Sequence, residues 1–372
     1  MQEERLFWLA WSQIPGIGSV MLNRLRHRFG TLKTAWEAEP AVLMTVEGVG
    51  PQMLEAIVQT RPTIQLEQSL QQPFPCWVPD DPDYPPLLLE IPSSPAVLYY
   101  RGQVAPGEHR DGPPCVAIVG TRHPSEYGRR WTRSLTRALV RQGLTIVSGL
   151  ATGIDTEAHR SCLEAGGRTL AVLGSGVDVI YPTQNQPLYQ QILNQGLVLS
   201  EYPAGTKPDR GHFPQRNRIV AGLCRAVIVV EAPVKSGALI TAHLANDYGR
   251  EVYVLPGSLD NPQSIGCLGL ISKGAQVILG EDHLLEMLGT IPALDGMTSS
   301  QPPAQLSLPI SGLAPELQQV LQAVRPEPTP FDMLVQRSGL PAATVSSTLL
   351  QLELLGLVNQ LPGMRYQASD QA

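Results

Sequence analysis

The sequence predicts an α/β protein: a doubly wound, Rossmann-like, mostly parallel sheet, flanked by an N-terminal helical domain and a C-terminal winged-helix domain. Three observations predict it. Short β-branched runs recur seven times between residues 115 and 279. Helical stretches separate those runs, which calls for right-handed crossovers and parallel pairing. Most of the runs end in small residues, chiefly Gly and Ser, as turns at one edge of such a sheet require.

The elements follow in order. Residues 1–72 read as a helical domain. It carries two similar turns, Ile14-Pro15-Gly16-Ile17-Gly18 and Val46-Glu47-Gly48-Val49-Gly50, each followed by a helical pattern. Both resemble the hairpin of helix-hairpin-helix elements, whose backbone N–H groups contact DNA phosphates. The signal for DNA contact is weak, because residues 1–61 hold six Lys/Arg against six Asp/Glu. Residues 73–95 contain eight prolines. Such a stretch reads as an extended connector on the surface of the next domain, neither helix nor central strand.

The main domain is expected at 73–289. Its strand runs are Cys115–Gly120, Leu144–Gly149, Thr169–Gly174, Leu197–Glu201, Ala226–Glu231, Glu251–Leu255 and Ala275–Leu279. Few polar residues interrupt them, as in strands buried on both faces. Residues 290–312 are rich in Pro, Ser and Gln and read as a linker. Residues 313–372 read as three helices and a hairpin with its tip at Pro362-Gly363, the outline of a winged helix. Of the two helices around the turn Ser338-Gly339-Leu340-Pro341, Phe331–Arg337 and Ala342–Leu355, the second has no Lys or Arg, so protein contact or self-regulation suits it better than base reading.

Bulk properties narrow the function. The 372 residues carry a formal net charge of -6, so any nucleic-acid contact must come from a local basic patch. The five cysteines lie far apart, without metal-ligand spacing, and read as buried thiols in a reducing compartment. No signal peptide and no apolar run of membrane-spanning length is apparent, so a soluble cytoplasmic protein is expected.

Ligands of open parallel sheets bind outside the carboxyl ends of the strands. The residues that follow the strands here are Gly120-Thr121-Arg122, then Ser148 and Gly149 with Gly153, then Gly174-Ser175-Gly176, and Lys235-Ser236-Gly237. Glycine lets a backbone approach a ligand, and helices starting there aim positive dipole ends at it. That is a phosphate-binding edge, although any one such glycine can serve only a tight turn. The run His212-Phe213-Pro214-Gln215-Arg216-Asn217-Arg218 adds two guanidinium forks, an amide and a ring able to stack on a base. Arg216 or Arg218 could instead pair with Glu201 or Glu231. Arg129, Arg133, Arg137 and Arg141 form a stripe along one helix. Such a stripe is commonly a solvated face, but its near lack of acidic partners in sequence leaves room for a DNA-backbone track.

Enzyme signatures are sparse. Neither a P-loop nor a G-x-G-x-x-G fingerprint after the first strand is present, and no His/Cys set suggests a metal. No cofactor is expected. Asp155 and His159 stand at i, i+4 and more readily cap a helix start than act as acid and base. Glu201 and Glu231, read as ending adjacent strands, could flank a sugar in N-glycosidic cleavage.

The runs VAIVGTRHPSEYG (116–128), SGLATGIDTEAH (148–159), VLGSGVDVIYP (172–182), LSEYPAG (199–205), FPQRNRIVAGL (213–223), VVEAPVKSGALITA (229–242) and VLPG (254–257) resemble the DNA-processing family called DprA or Smf. The proline-rich 81–102 is also similar. The resemblance covers about residues 80–365. It implies single-stranded DNA binding, dimerisation, and loading of the recombinase RecA during natural transformation, without an established catalytic activity. It also implies a DNA pocket at Gly120, Thr121 and Arg122, at Ser148 and Gly149, and at Arg216, Asn217 and Arg218. Thr121 stands where the family often has serine, and keeps the hydroxyl. Two other readings are weighed. A phosphoribohydrolase-like enzyme would use Glu201, Glu231, Asp155 and His159, but the edge here reads Glu231-Ala232-Pro233-Val234-Lys235-Ser236-Gly237 and lacks a P-G-G-x-G-T-x-x-E run. An adaptor would recruit partners through the linker and winged helix.

Overall fold

A computed structural model describes residues 2–105, 113–289, 315–324, 329–354, 357–361 and 365–368. The chain forms two compact units, 1–300 and 301–372. The expected linker 290–312 and the hairpin tip Pro362-Gly363 lie outside the described residues.

The first unit is built on one nine-stranded sheet. Its strands are β1 (Cys76–Trp77), β2 (Leu98–Gly102), β3 (Cys115–Val119), β4 (Thr145–Ser148), β5 (Thr169–Val172), β6 (Leu197–Ser200), β7 (Ala226–Val229), β8 (Glu251–Val254) and β9 (Gln276–Val277). Their order across the sheet is β1-β2-β6-β5-β4-β3-β7-β8-β9. β3 to β9 are all parallel, while β1 and β2 join antiparallel outside β6. The seven expected runs are thus the seven parallel strands. The chain leaves β3 toward β4, β5 and β6, then returns to the other side of β3 for β7. The order therefore reverses between β3 and β7, the place where open sheets of this kind open a crevice.

Alternate residues of β3, β4 and β7 face opposite ways and are buried on both faces. Val116, Ile118, Ile146 and Ile228 meet α8 (Glu126–Arg141), α9 (Ile154–Glu164) and α14 (Glu281–Gly289). Ala117, Val119, Val147 and Val229 meet α11 (His212–Gly222), α12 (Gly237–Asp247) and α13 (Ile265–Ile271) on the other face. α10 (Gln186–Gln195) covers β5 and β6.

Six helices precede the sheet: α1 (Gln2–Trp11), α2 (Ser19–Phe29), α3 (Leu32–Glu37), α4 (Pro40–Leu43), α5 (Pro51–Thr60) and α6 (Leu66–Ser69). The two glycine turns repeat each other bond for bond. Ile17 N donates to Ile14 O at 3.1 Å in the first, and Val49 N to Val46 O at 3.0 Å in the second. Gly16 and Gly48 take φ of +83° and +92°, a region other residues avoid. Trp8, Trp11, Leu22 and Leu25 of this bundle belong to one continuous apolar cluster with Tyr99, Val198 and Leu188 of the sheet and α10.

The proline-rich stretch departs from expectation. It contains β1 and one helical turn, α7 (Pro86–Leu89). Proline is tolerated there because the first turn of a helix leaves its N–H groups unpaired and an edge strand needs few donors. Nor does the segment lie wholly on the surface. Trp77, Tyr84, Leu88 and Ile91 are buried in the sheet's core, and Leu88 and Ile91 pack against Gly222 of α11.

The second unit has α15 (Pro315–Ala323), α16 (Phe331–Ser338), α17 (Ala342–Leu354) and a three-stranded sheet of β10 (Thr329–Pro330), β12 (Arg365–Ala368) and β11 (Val358–Leu361), in that order. Val320, Leu334, Val345, Leu349 and Tyr366 form its core. This is the expected winged helix. Among the described residues, no helix is long and apolar enough to cross a membrane.

Candidate nucleic-acid interface

A cavity of about 650 Å³ opens at the carboxyl edge of the sheet, over the β3/β7 reversal. The loops that line it follow β3, β4 and β7, and α11 supplies a further wall. Ten of the thirteen residues expected at the site line it: Gly120, Thr121, Arg122, Gly149, Phe213, Arg216, Asn217, Lys235, Ser236 and Gly237.

The floor is cross-linked by backbone. Thr121 N donates to Glu231 O at 2.7 Å, and Ile154 N donates to Thr121 O at 3.1 Å. Gly153 does not line the cavity; it makes this approach possible. Its φ is +85°, and a Cβ there would strike Thr121 O and the Arg122 backbone. Thr121 itself is buried, with its hydroxyl accepting from His123 N at 3.2 Å. Ser148 lies beneath the cavity, donating to Ile118 O at 2.6 Å and tying β4 to β3.

Arg216 and Asp155 lock the floor from below. Arg216 is 5% exposed, and its guanidinium donates to the carbonyls of Gly149, at 2.5 Å, and Val172. The guanidinium lies flat on Gly149, where any Cβ would collide with it. Asp155 accepts from Gly149 N at 3.1 Å and Ala151 N at 3.3 Å. Burial lowers the arginine's pKa and raises the aspartate's, and each charge opposes the shift of the other. Asn217 bridges to the next loop, donating to Gly237 O at 3.2 Å. Ser236 caps α12 by accepting from Ala238 N.

The free charge lies above that floor. Arg122, Arg210 and Lys235 are exposed, and none has an ion-pair partner among the described residues. With Arg216 they set four cations against one lining carboxylate, Asp155. Arg122 stands 5.7 Å from the centroid of Phe213, and Tyr181 approaches the same ring at 5.5 Å. Phe213 can sit so deep because Gly174 has no side chain to meet its edge. Arg210, Tyr181 and His123 were missed by sequence reasoning. Arg210 had a signal, a lone cation three residues ahead of the Phe213 ring.

Several expectations need correction. Arg218 does not reach the cavity; its guanidinium pairs with both oxygens of Glu201, at 2.9 and 2.6 Å. Glu201 and Glu231 do not end adjacent strands, since β5, β4 and β3 lie between β6 and β7. Glu231 is buried and accepts from Ser125 N at 2.8 Å, holding the start of α8. His159 is fully buried against Thr169, at 2.7 Å, and burial lowers its pKa to about 3. Glu201, Glu231, His159 and Asp155 are thus each engaged by a neighbour within the fold. The arginine stripe of α8 has acidic partners, one on its own helix and three brought by the fold: Glu126, Glu157, Glu164 and Glu281 meet Arg129, Arg133, Arg137 and Arg141 at 3.4, 3.1, 3.8 and 3.1 Å. Among the described residues, no group of His, Cys, Asp and Glu could hold a metal ion.

Comparison with known proteins fits this arrangement. Residues 75–289 match the family model of DNA recombination-mediator protein A, and residues 300–364 match the DprA winged helix domain. Protein Smf of Synechocystis sp. is 50% identical over 98% of both chains. Protein Smf of Escherichia coli is 39% identical over 79% of this chain and 78% of its own. The X-ray structure of DprA from Streptococcus pneumoniae superposes with a TM-score of 0.67 at 35% identity, over 77% of this chain and 98% of that one. DNA processing protein A from Helicobacter pylori, whose structure is described as giving insights into its unique single-stranded DNA binding mode, has a TM-score of 0.52 at 35% identity, over 58% of this chain and 96% of that one. The chain belongs to the DprA, or Smf, family of DNA recombination-mediator proteins.

Proposed function

We propose that the protein binds single-stranded DNA in the sheet-edge cavity and passes it to the recombinase RecA. One observation carries the binding: three exposed cations without an ion-pair partner among the described residues, Arg122, Arg210 and Lys235, line one cavity with an aromatic side chain, Phe213, at the reversal point of the sheet, and Arg122 stands against that ring. Guanidinium forks take phosphate oxygens, and the ring offers a face to any base. Duplex DNA hides its bases inside the helix, so the ring favours a single strand. In this reading residues 73–289 are the binding domain, and Gly120, Gly149, Gly153, Ser148, Arg216 and Asn217 shape the floor. Ser236 and Gly237 present the start of α12, while Arg218 serves the fold. Family resemblance supports RecA delivery, self-association as a dimer, and a cytoplasmic setting in transformation or recombination. It also supports action without catalysis. Residues 1–72 and 313–372, with few free cations, suit partner contact.

The test is a titration of single and double strands over a salt series, with Arg122→Ala alongside. Preference for the single strand, with log K falling linearly in log salt, is expected. If Arg122→Ala bound single strands like the parent, the cavity would be the wrong site. Delivery is tested by whether the protein speeds RecA assembly on a strand already coated with single-strand-binding protein.

A further inference from the structure

The flank of α8 carries a second concavity, of about 740 Å³, lined by Arg130, Arg133, Arg137 and Arg141 with Glu126 and Glu281. The turn that ends one cavity wall leads into α8, which carries the groove. His123 lines the cavity, and Glu126, three residues on, lines the groove. An α-helix rises about 1.5 Å per residue, so the row from Arg130 to Arg141 extends roughly 16 Å, with four-residue steps of about 6 Å. That step is close to the separation of phosphates along an extended strand.

The nearby carboxylates leave much of the row available. Arg133 meets the nearly buried Glu157 and serves the packing of α8 on α9. Arg141 and Glu281 are a solvent-side pair, and Arg137 reaches Glu164 only at 3.8 Å. Arg130 has no carboxylate partner among the described residues and stands 5.9 Å over the Tyr127 ring. Exposed pairs of this kind are weak and exchange partners readily.

We propose that the α8 groove is a second phosphate track, taking the backbone of the same single strand as it leaves the cavity. The proposal rests on the cavity reading above. It makes the footprint of one protomer longer than the cavity alone can hold, and it makes binding in the groove independent of base identity.

The experiment compares the parent with an R130A/R137A/R141A variant on strands of about 6 and about 20 nucleotides over a salt series. Arg133 is kept because its partner is buried. The short strand should bind both proteins equally, since it fills only the cavity. The long strand should bind the variant about tenfold more weakly, with a salt slope smaller by about 2, or roughly 0.7 for each phosphate no longer neutralised. Lysine at the three positions should restore the slope. An E126Q/E281Q variant, which removes competing carboxylates, should tighten long-strand binding alone. Equal affinity and slope for parent and variant on the long strand would overturn the proposal. So would an equal loss on both lengths, which a general field or a folding defect would produce. Failure of the cavity reading looks different, because Arg122→Ala would then leave the short strand bound.

Discussion

The sheet-edge cavity and the face of α8 are both rich in arginine, and they treat it differently. At the cavity, Arg122 and Arg210 have no ion-pair partner among the described residues. On α8, four arginines each meet a glutamate within 4 Å. Arg216 is a third case, a buried cation spent on backbone carbonyls. The difference teaches that counting cations along a chain says little about which can take a phosphate. Availability depends on neighbours that only the fold supplies.

That contrast can be broken by measurement. The largest effect should come from removing the free charges. An R122A/R210A variant should lose about 100-fold in single-strand affinity, at roughly 1.5 kcal/mol for each charge-assisted bond, with a salt slope smaller by about 1.4. A variant that kept the parent's slope would show that these two cations neutralise no phosphate. Next, Phe213→Ala should cost about tenfold through weaker stacking, on the order of 1–3 kcal/mol, and leave the salt slope unchanged. A changed slope would mean that the ring works only by placing Arg122. The smallest effect on DNA should come from Arg218→Ala, whose partner is Glu201. Affinity should stay within about twofold, while stability falls by about 3 kcal/mol because a largely buried carboxylate loses its cation. Thermal melting beside the binding assay would read both. The reverse pattern would place Arg218 in the cavity after all.

Much of the fold was legible because it rests on local pattern. Strands buried on both faces leave short runs with few polar residues, and five of the seven parallel strands, β3 to β7, are buried throughout. The antiparallel edge was not legible. β1 is two residues long among prolines, too short for any periodicity, and β2 takes its meaning from β6, which lies about a hundred residues later. At the site, the glycines, Arg122 and Phe213 could be read from their positions after strands. The split between Arg216 and Arg218 could not. They lie two residues apart on α11, and a turn of about 100° per residue sends one under the cavity and the other to Glu201. The partners of the α8 stripe were invisible for the same reason, since Glu157, Glu164 and Glu281 come from other helices.

The apolar cluster that joins the first helices to the sheet has a practical consequence for anyone who trims this protein. A chain started near residue 73 would keep every cavity residue, yet it would take Trp8, Trp11 and Leu22 out of the apolar cluster they share with Tyr99, Leu188 and Val198, baring what they cover of it. Exposed patches of that kind drive clumping. Weak DNA binding by such a fragment would therefore measure stickiness and solubility, and would say nothing about whether the missing helices touch DNA.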